Sequence, residues 1–271
     1  RRPRPGEHLA WGESSAVAYA NSLLGARTNR EGGPLTIMSA LTGRTYYAGL
    51  HLEENRRPTV LVEAPAPSSG LEAGLLGGFL GRMLGGGEVP YVRGIPRGAP
   101  EHWLKGLCAA AGALGSLGLC LIEGVSPEAS EPPGEAERLE VGRDDLRGLA
   151  EELGSSGDPE LYYLGCPHAS LAEVELLDSM LRGRVGAEFW VTLSRHQYAA
   201  ARRLGIVESL EAKGVRVWRD TCPVVAPFRS LGYRVIATNS VKAAFYMPRI
   251  HGVEVVLMDL EEVARRAVQG L

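Results

Sequence analysis

The chain has 271 residues, 45% of them apolar and 23% charged, with a formal net charge of −3. This composition fits a globular protein with one large core or two modest ones and lacks the basic stripe of a nucleic-acid binder. Its longest apolar run, residues 107–122, is broken by Gly112, Gly115, Ser116 and Gly118 and is too short to cross a bilayer, so neither nucleic acid nor membrane is an expected partner and a cytoplasmic location is expected.

The first predicted element is a helix over Ser14–Leu24. A serine can cap it, Ala16, Val17, Ala20, Leu23 and Leu24 form its apolar stripe, and Gly25 ends it. Glu13, Ser14 and Ser15 crowd its N-terminus, where unpaired N–H groups favour an anion. Arg27, Asn29 and Arg30 follow in a polar loop bounded by Gly32-Gly33-Pro34. Residues 35–41 read as a strand or a short helix, and residues 59–63 (TVLVE) as a buried strand. The run GLLGGFLGRMLGGG lacks the Lys-Ser/Thr of a phosphate loop, so its glycines point to close helix packing over residues 71–84. A helix over 100–115 and a strand over 119–123 follow. Residues 125–140, rich in Pro, Gly and Glu, read as a loop, and a domain boundary is expected near residue 130, dividing the chain into 1–130 and 131–271.

From residue 144 the pattern is regular: helix 144–153, strand 161–164, helix 171–181, strand 189–193, helix 197–213, strand 215–218, strand 233–237, strand 253–258 and helix 260–268. Strands alternating with helices predict an α/β fold of parallel βαβ units. In such sheets ligands bind at the carboxyl ends of the strands. Four strand ends here carry polar or reactive groups: Cys166 with His168, Ser194-Arg195-His196, Cys222, and Thr238-Asn239-Ser240 with Lys242.

The four cysteines include no C-x-x-C pair, which gives no sign of a zinc ribbon or a redox dithiol. Cys108 and Cys120 lie in the apolar run and read as core. Cys166 and Cys222 each precede a proline in a turn at a strand end, an arrangement suited to a metal ligand. Lys242 is one of only three lysines, with Lys105 and Lys213, among 29 basic residues. Its flexible ammonium suits a carboxylate or a phosphate. His168 could orient a sulfur, donate a proton, or simply cap.

Four blocks together resemble the aconitase X family, in particular its large, catalytic subunit: WGESSAVAYANSLLGARTNREGGP (residues 11–34), YLGCPHASLAEVE (163–175), DTCPVVAP (220–227) and TNSVKAAFY (238–246). The resemblance implies aconitase-like catalytic domains and an iron–sulfur hydro-lyase that dehydrates a hydroxy acid. It further implies a cluster, 4Fe–4S as the leading form, held by three cysteines. Cys166 and Cys222 would be two of them, and the third is expected upstream of Arg1, in a longer protein of which this chain is the C-terminal part. Glu13, Ser14 and Lys242 are the expected substrate anchors, with Ser15, Arg27, Asn29 and Arg30 as further candidates. The catalytic base is expected to be a serine on a small swivelling subunit, so that the chain alone would be inactive. Of the family's substrates, 5-phosphomevalonate, an intermediate of isoprenoid synthesis, is favoured over cis-3-hydroxy-L-proline. A non-catalytic α/β protein that binds small anions is the alternative of another class.

Overall fold

The computed structural model describes residues 2–270, which fall into two compact units, residues 2–68 with 72–149 and residues 69–71 with 150–270. The first unit holds α1 (Ser14–Leu24), α2 (Gly33–Thr42), two 3-10 turns (Gly49–His51 and Glu53–Arg56), β1 (Val60–Glu63), α3 (Gly70–Met83), β2 (Pro90–Arg93), α4 (Glu101–Leu114), β3 (Leu121–Ile122) and β4 (Glu137–Glu140). Its four strands are parallel, in the order β3-β2-β1-β4. The glycines of α3 serve close packing: a Cβ on Gly77 would lie 2.0 Å from the Leu107 carbonyl oxygen of α4. α1 packs on α4 in the same way, since a Cβ on Gly112 would stand 3.0 Å from the Ser14 carbonyl. The ambiguous segment after Pro34 is the helix α2, which buries Ser39 and exposes Leu35, Ile37, Met38 and Leu41.

The boundary expected near residue 130 lies instead inside this first unit. Residues 137–140, expected to be loop, form β4 and pair with β1 in parallel from Val60↔Glu137 to Glu63↔Glu140. Their side chains are mostly exposed, so the apolar signal that marks an interior strand is missing. The division falls within α5 (Arg143–Leu153).

The second unit is the expected parallel α/β sheet. It comprises β5 (Leu161–Leu164), α6 (Leu171–Met180), β6 (Glu188–Leu193), α7 (Arg195–Arg203), α8 (Ile206–Ala212), β7 (Val215–Arg219), β8 (Val235–Thr238), α9 (Val241–His251), β9 (Glu254–Leu257) and α10 (Leu260–Gln269). All pairings are parallel, in the order β7-β6-β5-β8-β9. The central strand β5 is buried throughout and packs with Phe189, Val191 and Leu193 of β6 and with Leu177 and Val263 from the helices. The single helix expected over 197–213 is two, α7 and α8, because Gly205 adopts a left-handed φ of 75° between them. The helix α9 follows β8 despite Pro248.

One buried cation ties the first unit together. The Arg56 guanidinium, only 2% exposed, pairs with the Glu128 carboxylate at 2.5 Å. It also donates to the carbonyls of Leu50 (2.9 Å) and Ala26 (3.1 Å) and to Asn21 Oδ1 (3.2 Å). Asn21 in turn donates from Nδ2 to the Thr28 and Gly118 carbonyls and accepts from the Thr28 N–H. Replacing Arg56 with Ala takes the paired cation from the half-buried Glu128 carboxylate and a donor from the Leu50 and Ala26 carbonyls. Its expected cost is about 3–5 kcal/mol, read as a lower denaturant midpoint with an unchanged slope.

A second buried polar group is sensitive to pH. His51 is fully buried, its Nδ1 lies 2.8 Å from Nδ1 of His8, and the two rings stack. Burial and then the neighbouring His8 lower its pKa; Glu31 opposes the shift, and Arg56 and Arg27 reinforce it. The folded state therefore favours the neutral ring. The stability it contributes is present above the unfolded value of about 6.5 and is lost as pH falls through the lowered folded value. Melting temperatures measured across that interval are expected to fall more steeply for the wild type than for His51→Asn.

Candidate metal centre and substrate anchors

The parallel sheet of the second unit brings four βα turns to one edge. After β5 the chain runs through Gly165, Cys166, Pro167 and His168, with a cis peptide between Cys166 and Pro167. Gly165 has φ 111°, and a Cβ there would stand 2.4 Å from the Thr192 carbonyl oxygen. Only glycine fits. Thr192 of β6 brackets this turn: its hydroxyl donates to the Gly165 carbonyl at 3.0 Å, and its carbonyl accepts from the Ala169 N–H at 2.9 Å. The Ser240 hydroxyl, from the turn after β8, donates to the Cys166 carbonyl.

The loop carrying Cys222 is held just as firmly. Asp220 adopts φ 54°, the one non-glycine positive φ among the described residues. Its N–H donates to the Leu193 carbonyl at 2.9 Å. Its carboxylate accepts from the Arg195 N–H (2.8 Å) and Nε (2.7 Å), contacts that hold its pKa below the usual carboxylate range. His251 Nε2 lies 2.7 Å from the Pro223 carbonyl. His168 Nε2, from the other cysteine turn, lies 2.6 Å from the Thr221 carbonyl.

Cys166 and Cys222 are both half-buried, whereas Cys108 and Cys120 are completely buried, as expected of core. Burial pushes the Cys108 thiol up to about 12 and raises the Cys120 thiol too, so these two stay protonated and inert. Below the cysteine turns the Tyr163 hydroxyl meets the Thr192 hydroxyl at 2.6 Å. Burial raises its pKa well above the ordinary value; Cys166 and Cys222 reinforce the shift and the Thr192 hydrogen bond opposes it.

The other strand ends divide by role. Ser194 caps α7, accepting from the Gln197 N–H, and Arg195 anchors Asp220. Ser240 caps α9, accepting from the Ala243 N–H at 3.0 Å. Lys242 stands in the first turn of that helix, half-buried, two residues from the serine that binds the Cys166 backbone.

In the first unit, Glu13, Ser14 and Ser15 do converge at the start of α1, but the anion expected there is already present. The Glu13 carboxylate accepts from the Ala16 N–H at 2.8 Å and from the Ser15 hydroxyl at 2.7 Å, while Ser14 and Ser15 are buried. Arg27 donates to the His51 carbonyl and pairs with Glu53, whose pKa it lowers. Asn29 donates to the Ala48 carbonyl and accepts from the Leu50 N–H at 2.8 Å. Both side chains thus fasten the first 3-10 turn. Arg30 is exposed, donates to the Gly112 carbonyl at 3.3 Å, and lines a cavity of about 410 Å³ with Asn29, Arg57, Glu54 and Ser116. Sequence reading missed Thr192, Tyr163 and Asp220, although the Gly before Cys166 was a visible sign of a tight backbone approach.

The chain matches family models over nearly its whole length: the aconitase X first domain at residues 1–54, second domain at 58–151 and third domain at 159–269. It is 43% identical over 267 residues to the phosphomevalonate dehydratase large subunit of Methanothermobacter thermautotrophicus, covering 97% of this chain and 66% of that protein. It is 37% identical to the cis-3-hydroxy-L-proline dehydratase of Pseudomonas aeruginosa, covering 98% of this chain and 49% of that protein. The crystal structure of Thermococcus kodakaraensis aconitase X in its holo-form superposes with a TM-score of 0.91 at 40% identity, covering 98% of this chain and 69% of that one. The chain thus spans about two thirds of the length of the large subunits it matches, and it belongs to the aconitase X family.

Proposed function

We propose that this chain is the greater part of the large subunit of a phosphomevalonate dehydratase. The reaction removes a hydroxyl and the proton α to the carboxylate, turning (R)-5-phosphomevalonate into trans-anhydromevalonate 5-phosphate and water. The observation that carries this reading is the 43% identity to a phosphomevalonate dehydratase large subunit over 97% of the chain. Dehydration of cis-3-hydroxy-L-proline is the second reading, favoured by the relatives of that name at 37% and 38% identity, which the chain spans less completely.

The residues present fit part of an iron–sulfur site. Cys166 and Cys222 are half-exposed thiols on turns fixed by hydrogen bonds, in contrast to the two core cysteines. The described residues hold no cluster of three or more ligating side chains, so the third cysteine is proposed to come from outside residues 2–270. When bound, a three-cysteine 4Fe–4S cluster supplies an open iron that acts as a Lewis acid towards the leaving hydroxyl. The protein's own residues orient and neutralise the substrate. Within the second unit Lys242 is proposed to meet an anionic group of the substrate, and within the first Glu13, Ser14, Ser15 and Arg30 are proposed as further substrate anchors. Arg27 and Asn29, committed to the first 3-10 turn, are proposed to support those anchors rather than touch the substrate. The base is proposed to lie on a small swivelling subunit; the relatives' description as large subunits supports a partner.

Anaerobic reconstitution with iron and sulfide is expected to give a brown protein containing both elements. Cys166→Ser and Cys222→Ser are each expected to lose the colour and the iron, whereas Cys108→Ala keeps them at a stability cost of roughly 1 kcal/mol. A colourless, iron-free wild type rules the cluster out.

Assayed with its small subunit, the protein is expected to dehydrate 5-phosphomevalonate, and the large subunit alone to be inactive. Lys242→Ala is expected to lower kcat/KM by about 2–3 kcal/mol, the worth of a lost charge-assisted contact. Turnover of cis-3-hydroxy-L-proline with none of 5-phosphomevalonate transfers the assignment to the second reading.

A further inference from the structure

We propose that His168 is a positioning residue that ties the Cys166 turn to the Cys222 loop and so holds the two sulfurs as a pair; the inference rests on the cluster reading given above. His168 is not the cap of the helix that follows it. Ser170 caps α6, with Glu173 completing a reciprocal capping box. Instead the imidazole leaves its own turn and reaches the Thr221 carbonyl, 2.6 Å from Nε2, one residue before Cys222. A carbonyl can only accept, so Nε2 carries the proton.

Further hydrogen bonds anchor each cysteine segment to its neighbours in the sheet. The Cys166 turn is bracketed by Thr192 at Gly165 and Ala169 and held at the Cys166 carbonyl by Ser240. The Cys222 loop is fastened to Leu193, Arg195 and His251 through Asp220 and Pro223. Thr192, Leu193 and Arg195 belong to the strand between β5 and β7 or the turn after it, so both loops lean on one support. His168 is a direct tie from one loop to the other. Its loss leaves both loops folded but frees the Thr221–Cys222 peptide to turn. Because a positive φ at Asp220 already strains that loop's entry, the cysteine end of the loop is where the freedom appears. Removing such an outer partner of a metal ligand typically costs about 10–100-fold in affinity.

The test uses the full-length protein without its cluster and a trivalent phenylarsenical, which bonds two thiolates only when they are held close together. With the proposed third cluster cysteine replaced by Ser throughout the capture assay, the protein otherwise wild type is expected to bind one equivalent with loss of two reactive thiols, and Cys166→Ser or Cys222→Ser to abolish that capture. His168→Ala is expected to weaken capture about 10-fold or more with its melting temperature little changed. His168→Gln, whose amide N–H can reach the same carbonyl, is expected to restore most of it. The corresponding proteins that keep that third cysteine, reconstituted with iron and sulfide, are expected to lose iron to a chelator in the same order. Capture by His168→Ala equal to wild type, or no paired capture by wild type, overturns the role given to His168. Paired capture that depends on His168 in a protein that takes up no iron upholds the positioning and overturns the cluster reading instead.

Discussion

Parallel pairing is the constraint from which the rest of the second unit follows. When every strand of a sheet runs the same way, each βα turn emerges at the same edge, and residues remote in sequence become neighbours without any local signal joining them. The order β7-β6-β5-β8-β9 places β6 between the strands that lead to Cys222 and Cys166. β6 and its following turn then serve as a common abutment, through Thr192 for one loop and Leu193 and Arg195 for the other. The two loops could drift independently if only their own strands held them. Sharing β6 converts strand register, fixed from Phe189↔Val215 to Leu193↔Arg219 on one side and Leu161↔Glu188 to Leu164↔Val191 on the other, into a defined relation between the loops.

In the first unit the organising force is electrostatic. An arginine that is 2% exposed is far too costly to desolvate unless each of its N–H groups finds an acceptor. Arg56 meets that demand with one carboxylate and four other oxygens of the chain, and those four come from α1, from the segment after it and from the first 3-10 turn. The same logic reassigns the polar stretch from Arg27 to Asn29. On paper it reads as a set of ligand-binding groups; in the fold it is backbone carpentry, since Arg27 and Asn29 spend their hydrogen bonds on the turn at residues 48–53.

Much of the fold was legible because its signals were local. α1 carried its terminating glycine, although Glu13 caps it in place of the expected serine. β5 and β6 were short apolar runs bounded by turns, and β7 alternated apolar and basic residues before its end. What escaped lacked a local pattern. β4 is polar because its side chains face solvent, so neither alternation nor an apolar run marked it. β2 reads PYVR, starts on a proline and follows a glycine-rich turn, which hides a strand that is otherwise well buried. α9 carries Pro248 near its end and so broke the helical pattern, although Ser240 offered a legible cap. At the candidate site the cysteines were visible as Cys-Pro turns, but Thr192 and Tyr163 looked like ordinary strand residues. Their roles come from pairing across the sheet, which no single stretch of sequence encodes.

The charge supply around α1 bears on the choice between the two proposed substrates. A compact zwitterion such as cis-3-hydroxy-L-proline needs an acceptor for its ring ammonium, and Glu13 was the residue that favoured it. In the folded chain that carboxylate already accepts from the Ala16 N–H and the Ser15 hydroxyl, and so has less left to offer a ligand. Its negative charge also satisfies the positive end of the α1 dipole, so that helix offers little field to a second anion. The cations therefore carry more of the discrimination. Lys242 sits at the strand edge of one unit, and Arg30 lines a cavity of the other beside Arg57. A substrate that carries both a carboxylate and a phosphate calls on more than one cation, whereas a five-membered ring with a single carboxylate calls on one.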